Sequence, residues 1–271
     1  MEVTRDMQPY FSGNALYGDD FDLEEIEGWY RDESEGYAGL IKNTDKQYRY
    51  DYHALNHQTL FRFLPADRRF QRAMGLGSAY GKEFEPINQR IDTLTVIDPS
   101  DEFTATEVVG IPARYIKPNV SGRLPFEDNH FDLITCFGVL HHIPNVSYVL
   151  KEMARVLEPG GYTLIREPIV SMGDWRRERP GLTKRERGIP QHLFQEMVAE
   201  AGFTVLQRRL VGFAPLRIIW KKTGTDLFSS RLGTSLDLLC SNLFRWNLRY
   251  HAESSFAKFR PTSAAYVLTK A

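Results

Sequence analysis

The stretch Leu124–Glu167, LPFEDNHFDLITCFGVLHHIPNVSYVLKEMARVLEPGGYTLIRE, decides the fold. Phe131–Phe137 is a short apolar run, Val146–Leu157 carries helical spacing and Tyr162–Ile165 is apolar again, so the segment reads as strand, helix, strand. Two strands joined by such a crossover lie parallel in one sheet. Pro144 and Asn145 punctuate the loop leaving the first strand. Val146, Val149, Leu150, Met153 and Leu157 then share one helical face. Pro159, Gly160 and Gly161 are expected to end the helix, because proline cannot continue it and glycine tolerates left-handed backbone.

Upstream, Phe70–Gly75 is expected to be the first strand, followed by the glycine-rich turn Met74-Gly-Leu-Gly-Ser-Ala-Tyr-Gly81. Such a turn lets backbone approach a ligand and exposes N–H groups. Asp98 follows the apolar run Leu94–Ile97, where a carboxylate can accept both hydroxyls of a ribose. Turn and acid together predict a nucleotide site, a signal that nicotinamide-dependent enzymes share.

The central segment discriminates. Leu124-Pro-Phe126, Phe131-Asp132, the pair His141-His142 and the run Leu150-Lys-Glu-Met-Ala-Arg-Val-Leu-Glu-Pro-Gly-Gly161 resemble class I S-adenosylmethionine-dependent methyltransferases rather than dehydrogenases. The resemblance implies a Rossmann-like, doubly wound α/β sheet of seven strands, mostly parallel with the last antiparallel, and S-adenosyl-L-methionine as cofactor. It implies cofactor contacts from Gly75, Gly77, Ser78, Asp98, Ser121 and Phe137. Residues 1–66 are expected to form a helical lid, and residues 67–271 the methyltransferase domain with a helical insertion at 212–262. Two positions depart from the family pattern. Ala73 stands where an acid usually helps hold the methionine moiety, and Ala79 where a third glycine is usual. Asn119 or Ser121 stands in for an acid that usually meets the adenine amino group.

A chain of 271 residues with 42% hydrophobic content can bury a large core. No run reaches membrane-spanning length and the first residues lack a secretory apolar stretch, so a cytoplasmic enzyme is expected. Cys136 and Cys240 read as apolar fillers rather than a disulfide. The net charge of −1 hides an asymmetry: residues 1–70 carry 14 acidic and 8 basic side chains, and residues 166–271 carry 9 acidic and 18 basic. Arg176, Arg177, Arg179, Lys184, Arg185 and Arg187 crowd the loop after the strand ending near Glu167. They suggest a small anionic acceptor, with a plain solvated face as the alternative. A pI near 6.7 and the lack of a recognisable RNA-binding module argue against nucleic acid.

Near the end, Gln191–Ala201 is expected to be a helix, and Thr204–Leu210 and Ala264–Thr269 strands. In the insertion, Leu232, Leu236, Leu239, Cys240, Leu243 and Phe244 recur at helical spacing. The stripe suits local packing first, then a pocket roof or a homodimer contact. For chemistry, methyl transfer asks mainly for positioning and, at a hydroxyl, for a base. His141 and His142 are the first candidates, Glu167 and Asp174 the next, and no dense metal-ligand cluster is visible. The activity expected is O-methylation of a sugar, nucleotide sugar or glycan precursor. A relative that keeps the fold but has lost catalysis is the alternative.

Overall fold

The computed structural model describes residues 6–41, 49–101, 103–175, 177, 179 and 181–271. Among these, the central unit folds as its pattern requires. Strand β5 is Phe131–Phe137, helix α4 is Val146–Val156 and strand β6 is Leu157–Pro168. The pairing of β5 with β6 is parallel. The apolar face of α4, with Val149, Leu150 and Met153 essentially inaccessible, packs on one side of the sheet.

Around this unit are β1 (Phe70–Leu76), β2 (Ile91–Ile97), β3 (Glu107–Val108), β4 (Ile111–Ile116), β7 (Phe203–Val211) and β8 (Ser263–Lys270). Their order in the sheet is β3-β4-β2-β1-β5-β6-β8-β7. β1, β2, β4, β5 and β6 run parallel, while β8 enters between β6 and β7 antiparallel to both. This is the doubly wound α/β sheet expected, with eight strands in place of seven. The additional strand is the two-residue β3, which turns back on β4 through Val109 and Gly110, both at positive φ.

Pro159, Gly160 and Gly161 do not form a separate helix stop. The helix ends at Val156, and these residues loop out within β6, where the pairing with β5 jumps from Phe131↔Leu157 to Leu133↔Tyr162. The remaining residues of the family-like run have structural work. Arg155 donates to the Leu124 carbonyl at 2.9 Å and to the Phe126 carbonyl at 2.8 Å, while Glu152 accepts the Leu124 N–H at 2.9 Å. Asp132 accepts the N–H groups of Gln71 and Arg72, tying β5 to the start of β1.

The N-terminal part consists of α1 (Gln8–Ser12), α2 (Leu23–Ile41) and α3 (His53–Thr59). Asp22 caps α2: its carboxylate accepts the Glu25 N–H at 2.9 Å, and the Glu25 carboxylate accepts the Asp22 N–H at 3.1 Å. α2 docks on the loop after β5, with Trp29 fully buried and its indole N–H donating to the His142 carbonyl at 2.7 Å. Asp19 accepts the Ser147 N–H at 2.8 Å, supplying an anion to the first turn of α4.

After α5 (Gln191–Glu200), the insertion holds α6 (Ala214–Trp220) and α7 (Arg231–Leu243), and here one expectation fails. The Leu232, Leu239 and Leu243 side chains are 66%, 63% and 64% exposed. The face of α7 that packs inward is Gly233, Thr234, Asp237 and Ser241, because Asp237 accepts the N–H groups of Gly212 and Phe213 at 2.8 Å each and turns that face toward the chain leaving β7. Cys136 is buried in β5 and Cys240 half-buried on α7, both as free thiols.

Arg187 is among the most heavily bonded side chains of the described residues. Fully buried, it donates to the carbonyls of Tyr17, Leu140, His141, Ile143 and Pro144 at 2.9–3.2 Å, and its guanidinium sits 5.0 Å over the Trp29 ring. Arg187→Met is expected to leave those carbonyls without donors and to destabilise the fold by about 3–5 kcal/mol in urea unfolding. Arg187→Lys, lacking the planar fork, should recover only part of that loss. A loss below about 1 kcal/mol in Arg187→Met would show that the carbonyls find other partners.

Candidate functional site

The site lies at the carboxyl ends of the parallel strands, where loops after β1, β2, β5 and β6 meet, the usual ligand crevice of an open α/β sheet. The turn after β1 is tightly folded. The Gly77 N–H donates to the Ile97 carbonyl at 2.7 Å, and Gly77 has φ +63°. A Cβ there would come within 2.5 Å of Val139, so this turn and the loop after β5 are in contact through glycine alone. A Cβ on Gly75 would strike Ser78, whose side chain bonds the Glu83 carboxyl. Ala79 has φ +46°, the left-handed region that a third glycine would enter without strain.

Asp98 closes the turn. Its Oδ2 accepts the Ala79 N–H and its Oδ1 the Ser100 N–H, each at 3.0 Å, and it is 8% exposed. Burial pushes its carboxyl above the usual range, against those two N–H bonds. Each oxygen has a second lone pair, so the group fits a vicinal diol. Tyr115 adds a further tie by donating its hydroxyl to the Ala79 carbonyl at 2.9 Å.

Beside this turn is a pocket of about 330 Å³, lined by Tyr52, Phe137, Gly138, His141, Arg166 and Glu167 among others. Arg166 stands 4.3 Å over the Tyr52 ring and 5.7 Å over the Phe137 ring, and donates to Asn56. Of the aromatic residues in the N-terminal part, Tyr52 therefore reaches the pocket. Tyr48 and the side chain of Tyr37 lie outside the described residues.

His141, His142 and Glu167 come together with two carboxylates absent from the sequence reading. The Glu167 Oε1 accepts the Val139 and Leu140 N–H groups at 2.8 and 2.9 Å, and its Oε2 lies 2.8 Å from His141 Nδ1. His141 Nε2 is 3.3 Å from Glu186, and His142 Nδ1 is 2.8 Å from Glu33. Burial would lower the His141 pKa, but Glu167 and Glu186 override it and hold the ring at about 9. His141 thus keeps its proton at neutral pH, which weakens it as a base. Burial would also raise Glu186, yet its bond to His141 holds it at about 2. Glu33 and Glu186 arrive from α2 and the loop after β6, separated by about 150 residues, and no local spacing could have paired them.

Ser121 and Asn119 are elsewhere engaged. Asn119 Oδ1 accepts both the N–H and the hydroxyl of Ser121, and the Ser121 carbonyl accepts from Asn145. Asp174 stands in the loop after β6, 3.8 Å from Arg177. The expected cationic wall is mostly spent internally: Arg187 is buried, Lys184 and Arg185 both pair with Asp32, and Arg179 donates to the carbonyls of Met172, Thr183 and Lys184. Arg176 lies outside the described residues.

Glu83 is the residue that sequence reasoning missed beside the turn after β1. It is 4% exposed, and burial pushes its carboxyl up to about 7, its bond to Ser78 notwithstanding. A folded value above the ordinary 4.5 means that the stability of the protonated form is complete at acid pH and is lost as pH rises through about 7. Glu83→Gln, neutral throughout, should lack that loss. Calorimetric unfolding at acid and mildly alkaline pH checks this: the wild type should fall relative to Glu83→Gln on raising the pH, and an unchanged difference would place Glu83 in a solvated setting.

Residues 74–165, from β1 to β6, match the family model for a methyltransferase domain. Methyltransferase str2 of Strobilurus tenacellus is 35% identical over 114 residues, 38% of this chain and 39% of that protein. The demethylmenaquinone methyltransferase of Bacillus cereus is 50% identical over 44 residues, 16% of this chain and 19% of that protein. The matched segments thus span well under half the length of these curated relatives. The crystal structure of an S-adenosylmethionine-dependent methyltransferase from Mesorhizobium loti superposes with a TM-score of 0.51 at 14% identity, covering 77% of this chain and 94% of that one. Residues 74–165 match a methyltransferase domain, and the chain shares the fold of an S-adenosylmethionine-dependent methyltransferase.

Proposed function

We propose that this chain transfers a methyl group from S-adenosylmethionine to a small polar acceptor, at a hydroxyl oxygen of a sugar, nucleotide sugar or glycan precursor. The observation that carries this reading is the contact of buried Asp98 with Ala79 at 3.0 Å, which sets a carboxylate against a glycine turn in the crevice of a methyltransferase domain. The cofactor supplies a methyl group on a cationic sulfur. Gly75, Gly77 and Ser78 offer backbone at close range, Asp98 accepts from the ribose hydroxyls, and Phe137 provides an apolar wall. Glu83, bonded to Ser78, supplies the carboxyl that Ala73 lacks. Ser121, tied to Asn119, contributes to the adenine side through its loop rather than its hydroxyl.

The acceptor enters the pocket beside Tyr52 and Arg166. An anionic preference rests on Arg166, since the six-cation loop is largely consumed by the chain's own groups. The acceptor's proton passes to His142, with His141 and Glu167 as the charged pair beside it and the main rate gain coming from alignment. The solvent-facing leucines of α7 are the surface we assign to a second copy, which sedimentation velocity tests directly. The other reading, a binding protein without turnover, is favoured by Ala73 and by the strained backbone at Ala79.

Calorimetry with S-adenosylhomocysteine tests the assignment. Asp98→Ala should weaken binding by roughly 1.5–3 kcal/mol, the scale of hydrogen bonds to a charged group. Unchanged affinity in the folded variant would remove Asp98 from the site. S-adenosylhomocysteine release in a screen of hydroxylated acceptors separates turnover from silent binding.

A further inference from the structure

We infer that His141, His142 and Glu186 form a binding site for a divalent transition-metal ion of the zinc and ferrous class, at the edge of the acceptor pocket. The inference does not depend on methyl transfer. One ligand atom from each residue lies within 4.8 Å of the others. The cluster is largely buried, with side-chain exposures of 9%, 17% and 10%. Two imidazoles and a carboxylate are a donor set suited to zinc or ferrous iron.

What distinguishes this cluster from a chance gathering of polar groups is the shell behind it. Each imidazole is held at Nδ1 by its own carboxylate, Glu167 for His141 and Glu33 for His142, both at 2.8 Å. That arrangement fixes the ring and directs the opposite nitrogen, Nε2, as ligand, as supporting carboxylates do around metal-bound histidines, and the ion displaces to solvent the proton that His141 otherwise holds there. The supports are themselves anchored. Glu167 accepts the Val139 and Leu140 N–H groups, and Glu33 accepts the Thr183 hydroxyl at 2.7 Å and the Arg185 N–H at 3.1 Å. Glu186 is positioned by the Thr183 N–H at 3.0 Å.

The spacing also fits. His141 Nε2 and the Glu186 oxygen are 3.3 Å apart, close to the edge of about 3.3–3.4 Å between two ligands bound ~2.0–2.1 Å from a tetrahedral ion. His141 lines the pocket, which gives the ion a path from solvent and leaves a coordination position toward whatever occupies the pocket. Three carboxylates around two imidazoles supply the negative charge that a dication needs. The buried Arg187 lies behind the backbone, on the carbonyls of Leu140 and His141, and not among the ligand atoms.

The test uses the full chain, freed of metal with chelator, then equilibrated with a slight excess of Zn²⁺ or Co²⁺, desalted, and assayed by elemental analysis. About one metal per chain is expected to be retained, with visible absorption from the Co²⁺ form reporting nitrogen and oxygen ligation. His142→Gln and Glu186→Gln should abolish retention. Glu33→Gln, which touches only His142 among the proposed ligands, should weaken it by roughly 10–100-fold with its circular dichroism unchanged. Retention of less than a tenth of an equivalent by the wild type would overturn the proposal and leave the cluster as a hydrogen-bonded network. Retention equal in wild type and Glu186→Gln would overturn it too, by showing adventitious binding elsewhere.

Discussion

The guanidinium of Arg187 is the constraint on which the site's geometry depends. A buried cation costs several kcal/mol to desolvate, and burial lowers its pKa to about 10. Here that cost is offset by five backbone carbonyls, four of them in the loop after β5 and one at Tyr17. The loop carrying His141 and His142 is thus fixed from behind, while Glu167 fixes it from β6 through the Val139 and Leu140 N–H groups. Trp29 completes the arrangement by donating to His142 and stacking under Arg187.

These contacts hold α2 and the loop after β6 together as one packed unit. Residues from α2, the β5 loop, β6 and the segment 183–187 interlock through charge rather than through apolar packing alone. The pocket lies on the far side of the same loop, so any movement of α2 would be felt at His142 through Glu33. The turn after β1 touches that loop too, through Gly77 against Val139. The turn after β1 and the pocket therefore share one wall.

Much of this was legible in the sequence because it is local. Phe131–Phe137, the α4 stripe, the turn at Gly75–Gly81 and Asp98 each follow from periodicity or short spacing, and the structure places them as those patterns require. The expectation for α7 failed because exposed leucines and a buried polar face mimic the usual stripe in mirror image; Asp237 binding Gly212 and Phe213 decides the orientation, and that is a contact across 24–25 residues. The cationic loop misled for the same reason. Arginine density is visible in sequence, but the Asp32 carboxylate and the carbonyls that absorb the charge are not. Glu33 and Glu186 were silent because no short-range pattern links them to a histidine pair.

The central claim is that an adenosyl group binds with its ribose on Asp98 in the crevice between the β1 and β5 loops. A crystal structure of the chain with S-adenosylhomocysteine tests it most directly. The account expects both ribose hydroxyls within hydrogen-bonding distance of the Asp98 carboxylate and the amino acid part beside Gly75 and Glu83. A ligand seated elsewhere, or crystals that exclude it while Asp98 remains bonded to Ala79 and Ser100, would contradict it.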